Sequence, residues 1–129
     1  MDIILKDNPG YPRRLAAVAD APEALYALGE APLNAPHTIA IVGTRSATPY
    51  ALRFINSLVD SLAAMLPRPV IVSGLAVGCD IMAHRRAMER SLPTVAVLAH
   101  GLQTIYPASH TQFARSMVEG RGGMLLTAY

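Results

Sequence analysis

The chain has 129 residues, 52% of them apolar, and a formal net charge of +2. That length holds one core and is tight for two, and the apolar share excludes a disordered chain. No apolar run reaches the roughly 18 residues a membrane span needs, and the single cysteine, Cys79, excludes an internal disulfide and fits a reducing cytoplasm.

The N-terminus, Met1-Asp2-Ile3-Ile4-Leu5-Lys6-Asp7, has an acid at position 2 and a short apolar stretch, so it does not read as a signal peptide. Residues 1–36 read as a short helical N-terminal element with a linker. Pro12 opens one helical stretch through Ala19, and Ala21-Pro22 breaks it. Glu23–Leu28 resumes the helix before Gly29, and Pro32, Asn34 and Pro36 form the linker.

Residues 37–129 alternate strand and helix. Ile39–Val42 is a buried strand. Pro49–Leu66 is a helix with Thr48 as its N-cap and Ala51, Ile55, Leu58, Val59 and Leu62 as its apolar stripe. Val70–Val72 is the next strand and Ile81–Arg90 the next helix. Thr94–Leu98, Ser109–Glu119 and Met124–Thr127 follow as strand, helix and strand. Continuously apolar strands separated by helices imply an α/β fold, a Rossmann-like parallel sheet with helices on both faces. Doubly wound sheets usually carry five or six strands, so the domain reads as incomplete at its C-terminus.

Charge is unevenly spread. Lys6, Arg13 and Arg14 face five acids in residues 1–30. Arg45, Arg53, Arg68, Arg85, Arg86, Arg90, Arg115 and Arg121 face four acids in the remainder. Arginine pairs phosphate bidentately and stacks on bases. A solvated surface explains the same distribution equally well.

The strand ends carry the chemistry. Ile41-Val42-Gly43-Thr44-Arg45 and Val72-Ser73-Gly74-Leu75-Ala76-Val77-Gly78 each run from an apolar strand into a glycine turn, and Leu98-Ala99-His100-Gly101 does the same. Ligands of open α/β sheets bind outside the carboxyl ends of the strands. Loop amides and a helix N-terminus there suit phosphate, with Arg45 as a fixed cation. Neither Gly-x-Gly-x-x-Gly nor a P-loop occurs, which disfavours dinucleotide and P-loop ATP binding.

Asp80 and His84 share a helix face four residues apart. They belong to the candidate phosphate-binding set, although the residue types favour Asp80 as a partner of the helix dipole that orients His84 or a loop amide. Two ligands and one thiol make a poor metal site, and no catalytic set emerges. Cys79 fits a small buried filler. Tyr106 is either a base-stacking residue or a core anchor.

The ordered motifs resemble the DprA/Smf family of bacterial DNA-processing proteins. They are Tyr11-Pro12 with Asp20-Ala21-Pro22 and Leu25-Tyr26, Ile41–Arg45, Ser73–Ala76 with Gly78-Cys79-Asp80 and Ala83-His84, and Thr94–Leu98 with Gly101-Leu102, Tyr106-Pro107 and His110. The resemblance implies an extended Rossmann-like fold that binds single-stranded DNA in a basic pocket. It also implies a cytoplasmic homodimer that loads RecA onto DNA in natural transformation (competence) and recombination, without a cofactor. Arg45 is then the phosphate-contacting arginine and Ser73–Gly78 lines its pocket. Ala51 replaces a frequent glycine, and Thr127-Ala128-Tyr129 replaces Ser-Glu-Tyr. The binding set so expected is Gly43, Thr44, Arg45, Ser73, Gly74, Leu75, Ala76, Gly78, Asp80, His84, His100 and Gly101. The alternative is a nucleotide-binding or nucleotide-hydrolysing enzyme of Rossmann-like fold, argued by analogy of fold.

Overall fold

The computed structural model describes residues 1–120 and 122–129; Arg121, counted above among the basic residues, lies outside them. In chain order the elements are β1 (Asp2–Leu5), α1 (Arg13–Ala16), β2 (Ala24–Gly29), β3 (Thr38–Ala40), α2 (Pro49–Ala63), β4 (Val70–Ser73), α3 (Cys79–Glu89), β5 (Thr94–Leu98), a single helical turn at Ala108–His110, α4 (Thr111–Glu119) and β6 (Gly123–Thr127). The six strands form one mixed sheet in the order β1-β2-β6-β5-β4-β3. β3 to β6 are parallel, and β1 and β2 join antiparallel beyond β6.

The α/β architecture agrees with the sequence, but the helical N-terminal element does not form. Only four residues of it, Arg13–Ala16, are helical, and Glu23–Leu28 is not a resumed helix. Its Ala-Leu-Tyr-Ala-Leu run has good helix propensity, yet it also fits the period of a strand. Leu25 and Ala27 face one side of the sheet and pack with Tyr11, Val95 and Met124. Pairing with β1 on one edge and β6 on the other overrides propensity. Gly29 ends the strand at φ +85°, where an added Cβ would run into the carbonyl of Gly123.

Each parallel strand pairs with its successor, so the crossovers all step in one direction. With one handedness they stack on one face. There Ile71 meets α2 and α3 through Ile55, Val59, Ala83 and Ala87. Ala96, Leu98 and Leu125 meet α4 through Ala114 and Met117. The opposite face carries Val70, Val95, Met124 and Leu126, and among the described residues Tyr11, the short α1 and residues 31–35 cover it. α2 starts as expected, with Pro49 in its first turn and the Thr48 Oγ1 accepting from Ala51 N–H at 3.2 Å. Among the described residues, no helix is long and apolar enough to cross a membrane.

The stability of the parallel sheet therefore depends on β2. Leu25→Ala should lower the unfolding free energy by about 2–4 kcal/mol, measured by urea denaturation followed by circular dichroism. An unchanged midpoint would mean that residues 1–36 contribute nothing to the core.

Candidate functional site

Because β3, β4 and β5 are parallel, their carboxyl ends share one rim of the sheet. The three glycine-bearing corners meet there around a cavity of about 300 Å³. Its lining is Arg45 from the first corner, Gly74, Ala76 and Val77 from the second, and Val97, Ala99 and His100 from the end of β5, with Tyr106 and Pro107 closing one side. Arg45 is exposed and makes no ion pair among the described residues.

The first two corners are locked together by their backbones. Cys79 N–H donates to the Thr44 carbonyl at 3.1 Å. Gly78 precedes it at φ +89°, where a Cβ would collide with the Thr44 carbonyl and lie 2.8 Å from the Arg45 oxygen. Gly43 is needed for the same close packing, since a Cβ on it would sit 2.7 Å from Cys79 Sγ. These two glycines allow one corner to cross the other, and Cys79 is the buried filler between them.

The polar residues of the second corner shape it from inside. Asp80, 7% exposed in the first turn of α3, accepts from Gly74 N–H at 3.0 Å. Ser73 Oγ donates to the Ile41 carbonyl and ties the end of β4 to the end of β3. Leu75 sits at φ +64°, an uncommon conformation for a branched residue, with its side chain wholly buried against Ala96 and Met117. Its carbonyl accepts from His110 Nδ1 at 2.8 Å, which fixes that histidine's tautomer. Asp80, Ser73 and Leu75 therefore hold the loop rather than line the cavity.

His84 is absent from the site. Its ring is fully buried, and Nδ1 lies 2.7 Å from Thr94 Oγ1 at the start of β5, away from the rim. The Thr94 hydroxyl donates to the Ile71 carbonyl at 2.9 Å, so His84 Nδ1–H must donate to it. Nε2 is left bare, without a hydrogen-bond partner among the described residues. Burial pushes this imidazole down to about 4, against a smaller upward pull from Asp80.

His100 does line the cavity, as the neutral Nδ1–H tautomer. Nδ1 donates to the Gly101 carbonyl at 2.8 Å, and Nε2 accepts from Tyr106 N–H at 3.3 Å. The ring thus pins the 100–106 loop. Gly101 lies beside Gln103 within that loop and does not reach the cavity wall.

Of the sequence-derived set, the structure gathers Arg45, Gly74, Ala76 and His100 around the cavity. Val77, Val97, Ala99 and Pro107 line it without having been expected. Val97 is 48% exposed in an otherwise buried strand, and its place in a continuous apolar run gave no signal of this. Tyr106, which the sequence left open between base stacking and core, is 71% exposed and is not a core anchor. Among the described residues, no group of three His, Cys, Asp or Glu side chains is gathered that could hold a metal.

The sequence pattern of the DNA recombination-mediator protein A family matches residues 2–129. Protein Smf of Escherichia coli (strain K12) is 37% identical over 129 residues, which is 98% of this chain and 33% of that protein. The DNA processing protein DprA of Bacillus subtilis (strain 168) is 37% identical over 110 residues, 84% of this chain and 36% of that one. This chain therefore spans about a third of the length of these relatives. The X-ray structure of DprA from Streptococcus pneumoniae superposes with a TM-score of 0.85 at 27% identity, covering 99% of this chain and 44% of that one. DNA processing protein A from Helicobacter pylori, whose structure describes a single-stranded DNA binding mode, superposes with a TM-score of 0.79 at 29% identity over 100% of this chain and 56% of its own.

The buried histidine, although outside the site, gives the fold an acid limit. An unfolded histidine takes its proton near pH 6.5, whereas His84 takes one only near 4. Its neutral form is thus fully stabilising above pH 6.5, and that contribution is lost as pH falls toward 4, by up to roughly 3 kcal/mol. His84→Gln should flatten this part of the stability–pH curve in urea titrations between those limits. An unchanged slope would assign the acid sensitivity to other groups.

Proposed function

The chain belongs to the DNA recombination-mediator protein A family, and from that premise we propose that its rim cavity holds single-stranded DNA, one nucleotide at a time. The observation that carries this reading is the convergence of Arg45, the Gly74–Val77 corner and His100 on one cavity. Arg45 supplies a forked cation suited to phosphate. The rest of the wall is mostly apolar, with Val77, Val97, Tyr106 and Pro107 around the opening. A phosphate alone has no use for such a wall, whereas the flat face of a base does. The cavity therefore favours a nucleotide unit with its backbone at Arg45 and its base against Tyr106.

The geometry favours binding over chemistry. The one acid–base pair that the sequence offers points elsewhere: Asp80 is bonded to Gly74 N–H, and His84 is enclosed near Thr94. We extend the same proposal to a cytoplasmic role in natural transformation and recombination, with RecA and a second copy of the protein as partners. No described residue is assigned to either partner.

Arg45→Ala should weaken binding of a fluorescein-labelled single strand about tenfold or more in a polarisation assay, the loss expected for one charge-assisted contact of about 1.5–3 kcal/mol. Tyr106→Ala should weaken it by about 1–3 kcal/mol. Each phosphate held at Arg45 adds about 0.7 to the slope of log affinity against log salt, so Arg45→Ala should reduce that slope and Tyr106→Ala should not. Undiminished affinity in both variants would remove the cavity from the reading. Turnover of a mononucleotide in calorimetry would replace it with the enzymatic alternative.

A further inference from the structure

Two walls of the cavity come from segments that no sheet ladder joins. Gly74, Ala76 and Val77 follow β4, and Tyr106 and Pro107 precede the turn at Ala108–His110. His110 bridges the two without lining the cavity itself. Its backbone N–H donates to the Pro107 carbonyl at 2.9 Å, and its Nδ1–H donates to the Leu75 carbonyl at 2.8 Å. The residue is 9% exposed, so the brace is an interior feature and depends on no open surface.

Each polar backbone group of the Gly74–Ala76 stretch that is held has a different holder. Asp80 takes Gly74 N–H, the Ala76 carbonyl accepts from Ile81 N–H at 3.1 Å, and the Leu75 carbonyl belongs to His110. The last of these fixes the Leu75–Ala76 peptide. Leu75 sits at φ +64°, a region that an aliphatic residue keeps only where its surroundings over-determine it. Its buried side chain is one constraint, and the bond to His110 is the other, setting the direction of the carbonyl.

The peptide is trans, so the Ala76 N–H lies opposite the Leu75 carbonyl. With that carbonyl on His110, the N–H points away from the buried ring, at a half-buried residue that lines the cavity. It finds no backbone acceptor among the described residues. A peptide donor kept free and fixed in direction is a preorganised partner for an anion. We propose that His110 is a positioning residue of the cavity. By holding the Leu75 carbonyl it keeps the Ala76 N–H available to the phosphate that Arg45 pairs. Without the bond, the peptide is free to turn over and to set a carbonyl oxygen against that phosphate. The proposal rests on the single-stranded DNA reading of the cavity and deepens it.

The test compares two variants of the whole chain. His110→Leu removes the donor. His110→Asn keeps one at the same place, because Asn Nδ2 is attached to Cγ as His Nδ1 is. In polarisation with a fluorescein-labelled oligothymidylate, His110→Leu should weaken binding about tenfold, and His110→Asn should recover most of that loss. A neutral N–H displaces no counterion, so the slope of log affinity against log salt should stay unchanged in His110→Leu, in contrast to Arg45→Ala. In amide NMR spectra, the Ala76 proton should move downfield when the strand is added to the wild type or to His110→Asn, and stay in place in His110→Leu. Equal loss in both variants would make His110 a packing residue and overturn the proposal, as would full affinity in His110→Leu. Should His110→Leu fail to fold, a stationary Ala76 amide in the wild type overturns it alone. Undiminished affinity in Arg45→Ala and Tyr106→Ala removes the DNA reading itself. If those two weaken binding while the His110 variants behave alike, the positioning role alone falls.

Discussion

Thr44 and Arg45 pass over Gly78 at backbone contact, and one bond, from Cys79 N–H to the Thr44 carbonyl, holds them there. The placement of Arg45 follows from this crossing. An arginine on a free surface loop samples many rotamers and loses that freedom when it binds. Here the backbone that carries it is clamped against the start of α3. The clamp works only because residues 43 and 78 lack side chains. Any Cβ at 78 would lift the first corner off the second and carry the guanidinium away from the Gly74–Val77 wall. Asp80 completes the clamp by holding Gly74 N–H from within the same helical turn.

The one-directional winding of the parallel strands has a second consequence. It places α2, α3 and α4 on a single face, so among the described residues the other face is covered by Tyr11, α1 and residues 31–35. In a sheet with helices of equal weight on both faces, Val97 would lie under a helix. Here it is half exposed and becomes part of the cavity wall. Among the described residues, every crossover of the parallel strands moves away from β3.

The parallel part of the fold is legible in the sequence because its signals agree. Thr48 and Pro49 mark a helix start, Val70–Val72 and Thr94–Leu98 are short apolar runs bounded by breakers as buried strands are, and the glycines fall where strands end. The N-terminal strands were illegible for a physical reason. Leu25-Tyr26-Ala27-Leu28 suits a helix locally, and its strand state comes from β6, about 100 residues downstream in the sequence. The site was legible at Arg45, Gly74, Ala76 and His100, where glycine corners and strand ends coincide. It was illegible at Val97 and Val77, because exposure of an aliphatic side chain depends on which face the helices take. His84 was misplaced for a related reason. A shared helix face with Asp80 says nothing about whether that face meets the rim or the interior.

The buried polar groups near the site share one task. Ser73 bonds to the Ile41 carbonyl, His110 to the Leu75 carbonyl, Thr127 Oγ1 lies 2.7 Å from the His100 carbonyl, and Asp80 takes Gly74 N–H. Each ties a side chain to the backbone of a strand end, which satisfies groups that would otherwise be costly to bury. His100, at the cavity itself, is used the same way, with both ring nitrogens committed to its own loop. Side chains so engaged cannot also donate to or take protons from a ligand without unmaking the corner that they hold. The side-chain groups left to meet a ligand are therefore the exposed Arg45 guanidinium, the apolar wall and an exposed tyrosine. That inventory is what the proposed nucleotide unit would meet: a cation for its phosphate and a flat apolar surface for its base.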